Sequence, residues 1–129
     1  TVQYRVLFVS FAKGNIAMSH VQHISANTFK TEVQQANVPV LIDFYADWCG
    51  PCRMLAPTLE RLATEFSGRV KIVKINVDKE PALASQYRVE SIPTLVVMSQ
   101  GEIIGQAAGL VGEADLRSAL NQIAPVKVA

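Results

Sequence analysis

The sequence is short of cysteine, of excess charge and of long apolar runs. Only two of its 129 residues are cysteines, which excludes the disulfide framework of a small secreted protein and leads us to expect a reducing compartment, the cytoplasm. Twelve basic and eleven acidic side chains give a net charge of +1, so we expect no nucleic-acid partner, because phosphate binding needs a basic face. No apolar stretch reaches the roughly 18–20 residues of a membrane-spanning helix, and we expect no membrane partner.

The composition is that of a globular domain. Half of the residues are hydrophobic and 18% are charged, and a chain of 129 residues can bury a core without disulfide support. We assign residues 18–129 to a single domain and expect it to be a monomer.

Residues 1–17 differ from the rest of the chain. They contain Arg5 and Lys13, no acidic residue, and a short apolar run at 6–12. One interpretation is a leader, with an apolar region of signal-peptide size, and this would place the protein in an organelle or outside the cell. The other is an N-terminal extension, either an arm or translated upstream sequence, because Met18 is a natural start. We favour the extension.

The hydrophobic periodicity predicts nine elements in the order β-α-β-α-β-α-β-β-α. Alternating or continuous apolar runs predict the strands, and apolar residues at helical spacing predict the helices. This order is typical of an α/β fold with a central mixed sheet and helices on both faces. The predicted strands are 21–24, 38–46, 70–77, 91–98 and 103–108. The first predicted helix is capped by Ser25 or Asn27, and the others cover 50–66, 78–87 and 113–123.

Both cysteines lie in the stretch 47–52, between a predicted strand and a predicted helix. Unpaired N–H groups and the positive end of the helix dipole stabilise a thiolate at a helix start. We expect Cys49, near the N-cap, to be the exposed and more acidic thiol, and Cys52, about a turn further along, to be covered. Gly50 lets a substrate approach closely, and Pro51 stiffens the ring that the two cysteines close. The pattern therefore predicts dithiol–disulfide exchange.

Three other interpretations of the cysteine pair are weaker. A zinc site needs further ligands, and the candidates His20 and His23 have odd spacing in a predicted strand, so they point to opposite faces. A structural disulfide over so short a loop would constrain little chain entropy. Two inert core cysteines would not explain the Gly-Pro dipeptide between them.

Two charged residues in predicted strands are candidates for the chemistry. Asp43 is the one charged residue in the run 38–46. Either it is solvated at an open strand end, or it is a buried acid with a raised pKa that accepts a proton from the covered thiol. Lys74 either neighbours Asp43 or is a solvated strand lysine.

Three further positions suggest a contact surface for a partner. Trp48 suits an exposed protein-binding contact, although a core tryptophan is the alternative. A cis bond before Pro93 would leave the Ile92 backbone free to pair with an extended peptide, although the local sequence alone favours trans. Gly109 marks a bulge or a close backbone approach.

The motifs around the cysteine pair occur together and in order. In this combination, over about residues 20–124, the sequence resembles the thioredoxin family. The resemblance implies the thioredoxin fold and a protein-disulfide reductase with no metal or organic cofactor. It also implies disulfide-containing target proteins and a thioredoxin reductase as electron donor. The motifs are Asp43-Phe44-Tyr45-Ala46, Trp48-Cys49-Gly50-Pro51-Cys52, Pro57, Lys74-Ile75-Asn76-Val77-Asp78, Ile92-Pro93-Thr94 and Gly109.

The resemblance also implies a role for each site residue. Cys49 would be the attacking and Cys52 the resolving cysteine, Asp43 and Lys74 a buried pair, and the bond before Pro93 cis. The residues that would form the substrate groove around the thiols are Trp48, Gly50, Pro51, Ile92, Pro93 and Gly109.

Two departures and two alternatives accompany the resemblance. Tyr45 stands where the family often has a second tryptophan, and residues 1–17 have no counterpart. An oxidase or isomerase of the same fold is one alternative, but Gly50-Pro51 adds no charge that would stabilise the thiolate further. A binding or chaperone module that uses the groove without turnover is the other.

Overall fold

The computed structural model describes residues 19–125, so the predictions for residues 1–17 lie outside the described residues. The elements follow the predicted order. The strands are β1 (Gln22–His23), β2 (Val40–Tyr45), β3 (Lys71–Asn76), β4 (Thr94–Ser99) and β5 (Glu102–Ala108). The helices are α1 (Ala26–Phe29, continued by a π-helical turn, Lys30–Gln34), α2 (Gly50–Glu65), α3 (Pro81–Gln86) and α4 (Glu113–Ile123). None of the helices within 19–125 is long and apolar enough to cross a membrane.

The five strands form one mixed sheet in the order β1-β3-β2-β4-β5. Strands β1 and β2 run parallel to β3, whereas β4 is antiparallel to β2 and β5 is antiparallel to β4. Strand β2 lies in the middle and is covered on both faces, which explains why all six of its residues are buried. The predicted α/β architecture, a central mixed sheet with helices on both faces, is confirmed.

Each face of the sheet has its own apolar core. Helices α2 and α4 cover one face and α1 and α3 cover the other, because each helix carries one apolar stripe that must be buried. The first core includes Leu41, Leu55, Leu59, Leu62, Phe66, Leu95, Leu116 and Leu120. The second includes Phe29, Val33, Ile42, Phe44, Leu83 and Val96.

Helix α2 connects the cysteine turn to the first core. Its buried stripe includes Cys52, Leu55, Leu59 and Leu62, as predicted from helical spacing, and the helix itself continues past Pro57 to Glu65. Ion pairs join the exposed side of α2 to α4: Arg61 to Glu113 at 2.6 Å, and Arg117 to Glu65 at 2.9 Å. Each exposed pair stabilises little by itself. Together with the buried leucines, they hold the body of the helix against the sheet.

Two local predictions need correction. The register shift in the sheet lies at Val97/Met98, so the bulge interpretation of Gly109 was wrong. Gly109 instead has a φ of +93°, and apart from its two chain neighbours no residue within 19–125 has an atom within 4 Å of the place its Cβ would occupy, so backbone conformation explains the glycine. His20 lies before β1 rather than within it, and only His23 is a strand residue.

Candidate active site

The cysteine pair lies at the first turn of α2, directly after β2. Cys49 is the N-cap, with an extended backbone at φ −86° and ψ 113°, and Cys52 lies inside the helix. The two form a disulfide with their Cα atoms 5.2 Å apart. The backbone N–H of Cys52 donates to the Cys49 sulfur at 3.2 Å. A backbone N–H of the first turn, which has no acceptor within the helix, thus donates to the sulfur on which a thiolate would form.

The expected exposure of Cys49 was wrong, because both cysteines are buried with 4% of their surface accessible. Cys49 packs with Tyr45, Ala46 and Cys52, and Ile92 lies against this group. Its Sγ lies 3.8 Å from the Ile92 carbonyl oxygen. The two sulfurs therefore differ in their position on the helix, not in how much of each residue solvent reaches.

The loop before β4 lies beside the cysteines. The Ile92–Pro93 bond is cis, as the resemblance implied and contrary to the preference read from local sequence. The Pro93 carbonyl accepts a hydrogen bond from the Gly109 N–H at 2.8 Å, which joins the loop to the end of β5. Pro93 is buried, whereas Ile92 and Gly109 are half-buried. The structure thus brings these three residues and Cys49 together.

Trp48 is exposed over 68% of its surface, as expected for a protein contact. Its indole N–H donates to Asp78 at 2.8 Å, which orients the ring. Asp78 was part of a family motif but was not predicted as a site residue, although it follows β3, whose carboxyl end meets that of β2 at the same edge of the sheet. The tryptophan borders an apolar hollow of about 190 Å³ whose lining includes Val77, Val89 and Ile92. Gly50 is half-buried and Pro51 exposed beside it.

Asp43 is buried, with only 1% of its surface accessible. Its Oδ1 has no hydrogen-bond partner among the described residues. Burial raises the pKa of Asp43 to about 6, and the charge of Lys74 opposes this rise only in part. Asp43 therefore holds a proton at slightly acid pH and can exchange it near neutrality.

The implied buried pair of Asp43 and Lys74 needs correction. The two residues are neighbours in the β2–β3 register, but Lys74 is only half-buried. Among residues 19–125 the Lys74 ammonium has no carboxylate oxygen within 4.0 Å. It lies instead over the ring of Tyr45, 4.3 Å from the ring centroid. A hollow of about 170 Å³ is lined by Lys74, Tyr45 and Cys52 among others.

Comparison with known proteins identifies the relatives of this site. The family model described as thioredoxin matches residues 20–122. The chain belongs to the thioredoxin family. It is 45% identical over 105 residues to the thioredoxin of Haemophilus influenzae, a match that covers 81% of this chain and 98% of that protein. It is 43% identical over 105 residues to thioredoxin 1 of Nostoc sp., with the same coverage.

A third relative is a chloroplast protein, the M-type thioredoxin of Spinacia oleracea. The chain is 36% identical to it over 110 residues, which are 85% of this chain and 61% of that protein. Because the chain belongs to this family and carries the bonded cysteine pair, it is a thiol–disulfide oxidoreductase that reduces protein disulfides. Its partners are therefore disulfide-containing proteins and a reductase that returns electrons to it.

Proposed function

We propose that Cys49 is the attacking cysteine and Cys52 the resolving cysteine of this reductase. The Cys49 thiolate attacks one sulfur of a target disulfide, forms a mixed disulfide and releases the other target sulfur as a thiolate. Cys52 then attacks the Cys49 sulfur, closes the internal disulfide and releases the second target thiol. The observation that carries the assignment is the Cys52 N–H directed at the Cys49 sulfur at 3.2 Å, which favours the thiolate at Cys49.

Asp43 is the proton acceptor for Cys52. The resolving thiol must lose its proton before it can attack, and a carboxylate with a pKa near neutrality is suited to take it. Support comes from the burial of Asp43, its unpartnered Oδ1 and its pKa of about 6. Lys74, the cross-strand neighbour of Asp43, moderates this pKa through its charge.

The substrate groove surrounds the cysteine turn, and its occupant is an extended peptide that carries the target disulfide. The Ile92 backbone, whose carbonyl lies 3.8 Å from the Cys49 sulfur, pairs with this peptide. The exposed Trp48 ring contributes an apolar contact. The groove residues are Trp48, Gly50, Pro51, Ile92, Pro93 and Gly109.

The reductase that supplies electrons is a thioredoxin reductase, and the protein works as a cytoplasmic monomer. The presence of only two cysteines supports a reducing compartment. An organellar or exported location would follow if residues 1–17 were a leader.

The assignment of the two cysteines is tested by exchanging each for serine. In an insulin reduction assay with dithiol reductant, Cys49→Ser should abolish catalysis and form no adduct with a disulfide substrate. Cys52→Ser should form a stable mixed disulfide, visible by mass spectrometry, because nothing resolves it. The reverse pattern, with an adduct on Cys49→Ser alone, would exchange the two roles.

A further inference from the structure

One face of the sheet carries a row of polar residues across three strands. The register pairs His23 of β1 with Lys74 of β3, and Lys74 with Asp43 of β2. Tyr45 lies two residues after Asp43 and therefore points to the same face. Because β3 lies between β1 and β2, a side chain that reaches from β2 to β1 must cross β3, where Asn76 is the register partner of Tyr45 and Lys74 is that of His23.

The Tyr45 side chain does reach across β3. Its hydroxyl lies 3.2 Å from His23 Nδ1, and the two rings form an edge contact with centroids 6.0 Å apart. Burial, followed by the charges of Lys74 and Lys79, lowers the pKa of His23, so its ring is neutral at physiological pH and can accept this hydrogen bond. Burial raises the pKa of the Tyr45 hydroxyl, and a side-chain hydrogen bond with Asn76 opposes this rise only in part, so the hydroxyl remains a donor.

The Tyr45 ring gives the Lys74 ammonium a partner other than Asp43. The ammonium lies 4.3 Å from the ring centroid, within the range of a cation–π contact. Oδ1 of Asp43 meanwhile has no hydrogen-bond partner among the described residues. Lys74 is therefore the cross-strand neighbour of Asp43 but forms no ion pair with it.

We propose that Tyr45, held at its hydroxyl by His23, is a positioning residue that keeps the Lys74 ammonium off the Asp43 carboxylate and so sets the pH at which Asp43 accepts a proton. The consequence for catalysis rests on the proton-acceptor role proposed above for Asp43. Other groups face this cluster from the neighbouring elements, and all of them are retained in the variants below: Cys52, Arg53 and Glu60 of α2, Asp47 before it, and Lys79 after β3.

The proposal predicts the titration of Asp43 itself. Carbon-13 NMR of the oxidised protein, labelled at its four aspartate carboxyl carbons, reports this titration, and the signal absent from Asp43→Asn identifies Asp43. Tyr45→Leu should lower the Asp43 midpoint by about one pH unit, because the freed ammonium can approach the carboxylate. In a Lys74→Met background the same change should leave the midpoint where Lys74→Met alone puts it.

Two milder variants address the anchor and do not depend on Tyr45→Leu being folded. His23→Phe removes the hydrogen bond to the Tyr45 hydroxyl, and Tyr45→Phe removes that bond together with the hydroxyl's hydrogen bond to Asn76, while both variants keep an aromatic ring. Each should lower the Asp43 midpoint by a smaller, similar amount, and the double variant should add nothing further. A shift in Tyr45→Phe that His23→Phe does not reproduce would contradict the anchoring role of His23.

The Lys74→Met background distinguishes two effects of the Tyr45 ring: placing the Lys74 ammonium and excluding water from Asp43. If Tyr45→Leu lowers the Asp43 midpoint equally with and without Lys74, or does not lower it at all, the positioning role is overturned. The pH profile of mixed-disulfide release, measured in parallel, should move with the Asp43 midpoint. A midpoint that moves while the release profile does not would support the placement of Lys74 but contradict Asp43 as the proton acceptor.

Discussion

The two ends of helix α2 lie in different surroundings. The body packs in a core and forms ion pairs, whereas the first turn lies near the buried carboxyl group of Asp43. In the body, Leu55, Leu59 and Leu62 are buried in one core, and ion pairs join the exposed side to α4. At the first turn the cysteines pack against Tyr45 and Ala46 at the end of β2.

On the same face of β2 as Tyr45 lies Asp43, a buried acid whose Oδ1 has no hydrogen-bond partner within residues 19–125. Burying such a group costs free energy unless it is paired. The buried contacts that stabilise the fold therefore lie along the body of the helix, while its first turn lies near a destabilising group to which we assign a role in the chemistry.

The largest expected effect on stability comes from a substitution in the buried body of α2. Leu59 is 1% exposed and packs in the core between α2 and the sheet. Leu59→Ala should lower the free energy of unfolding by about 2–5 kcal/mol, because it removes buried methyl groups and leaves a cavity. Denaturant midpoints measure the loss, and insulin reduction per folded molecule should stay nearly constant.

Met54 provides the matched control on the same helix. It is 67% exposed, so Met54→Ala should leave the denaturant midpoint close to that of the parent protein. A loss of reductase activity in folded Leu59→Ala would mean that the body and the first turn are coupled, and the contrast drawn above would fail.

The next largest effect is a gain in stability, and it concerns Asp43 near the first turn of α2. Asp43→Ala should stabilise the fold near neutral pH by about 1–4 kcal/mol, because it removes a buried carboxylate whose Oδ1 has no hydrogen-bond partner in the described part of the chain. The same change should slow release of the mixed disulfide, since Cys52 loses its proton acceptor. Denaturant midpoints and single-turnover exchange measure the two quantities. A variant that is neither more stable nor slower would mean that the carboxylate is solvated.

The stabilisation from Asp43→Ala should depend on pH in a defined direction. The folded pKa of about 6 exceeds the ordinary value of 3.8, so the native state holds its proton while the unfolded state has lost it. The contribution of Asp43 to the free energy of unfolding is therefore largest below pH 3.8. It falls by roughly 3 kcal/mol in total as pH rises from there through about 6. In Asp43→Ala this fall should be absent, and an unchanged pH dependence would assign it to other groups.

The smallest effect is expected from removing residues 1–17. The body and the first turn of α2 both lie within residues 19–125, and the predicted elements of the domain begin after the extension. Deletion should leave the melting temperature and the rate of insulin reduction nearly unchanged. A loss of several degrees would show that the extension contributes to the fold, and it would require a new domain boundary.

The sequence by itself determined the elements and the reactive motif. The predicted range of the last helix, 113–123, is that of α4, and the stripe from Cys52 to Phe66 is the buried face of α2. Such patterns depend on residues a few positions apart, so period and capping chemistry read from the chain are sufficient to predict them. The cysteine pair at a helix start belongs to the same class, and the apolar residues on both sides of Asp43 favoured its buried interpretation over the solvated one.

Tertiary structure decided the surroundings of those groups. Cys49 is buried because Ile92, distant in sequence, lies against it, and the Trp48 ring is oriented by Asp78 from the end of β3. Lys74 lies over Tyr45 rather than against Asp43 because the register of three strands brings His23 within reach of the Tyr45 hydroxyl. Local periodicity carries no information about register between strands, so only the folded chain establishes which polar groups share a partner.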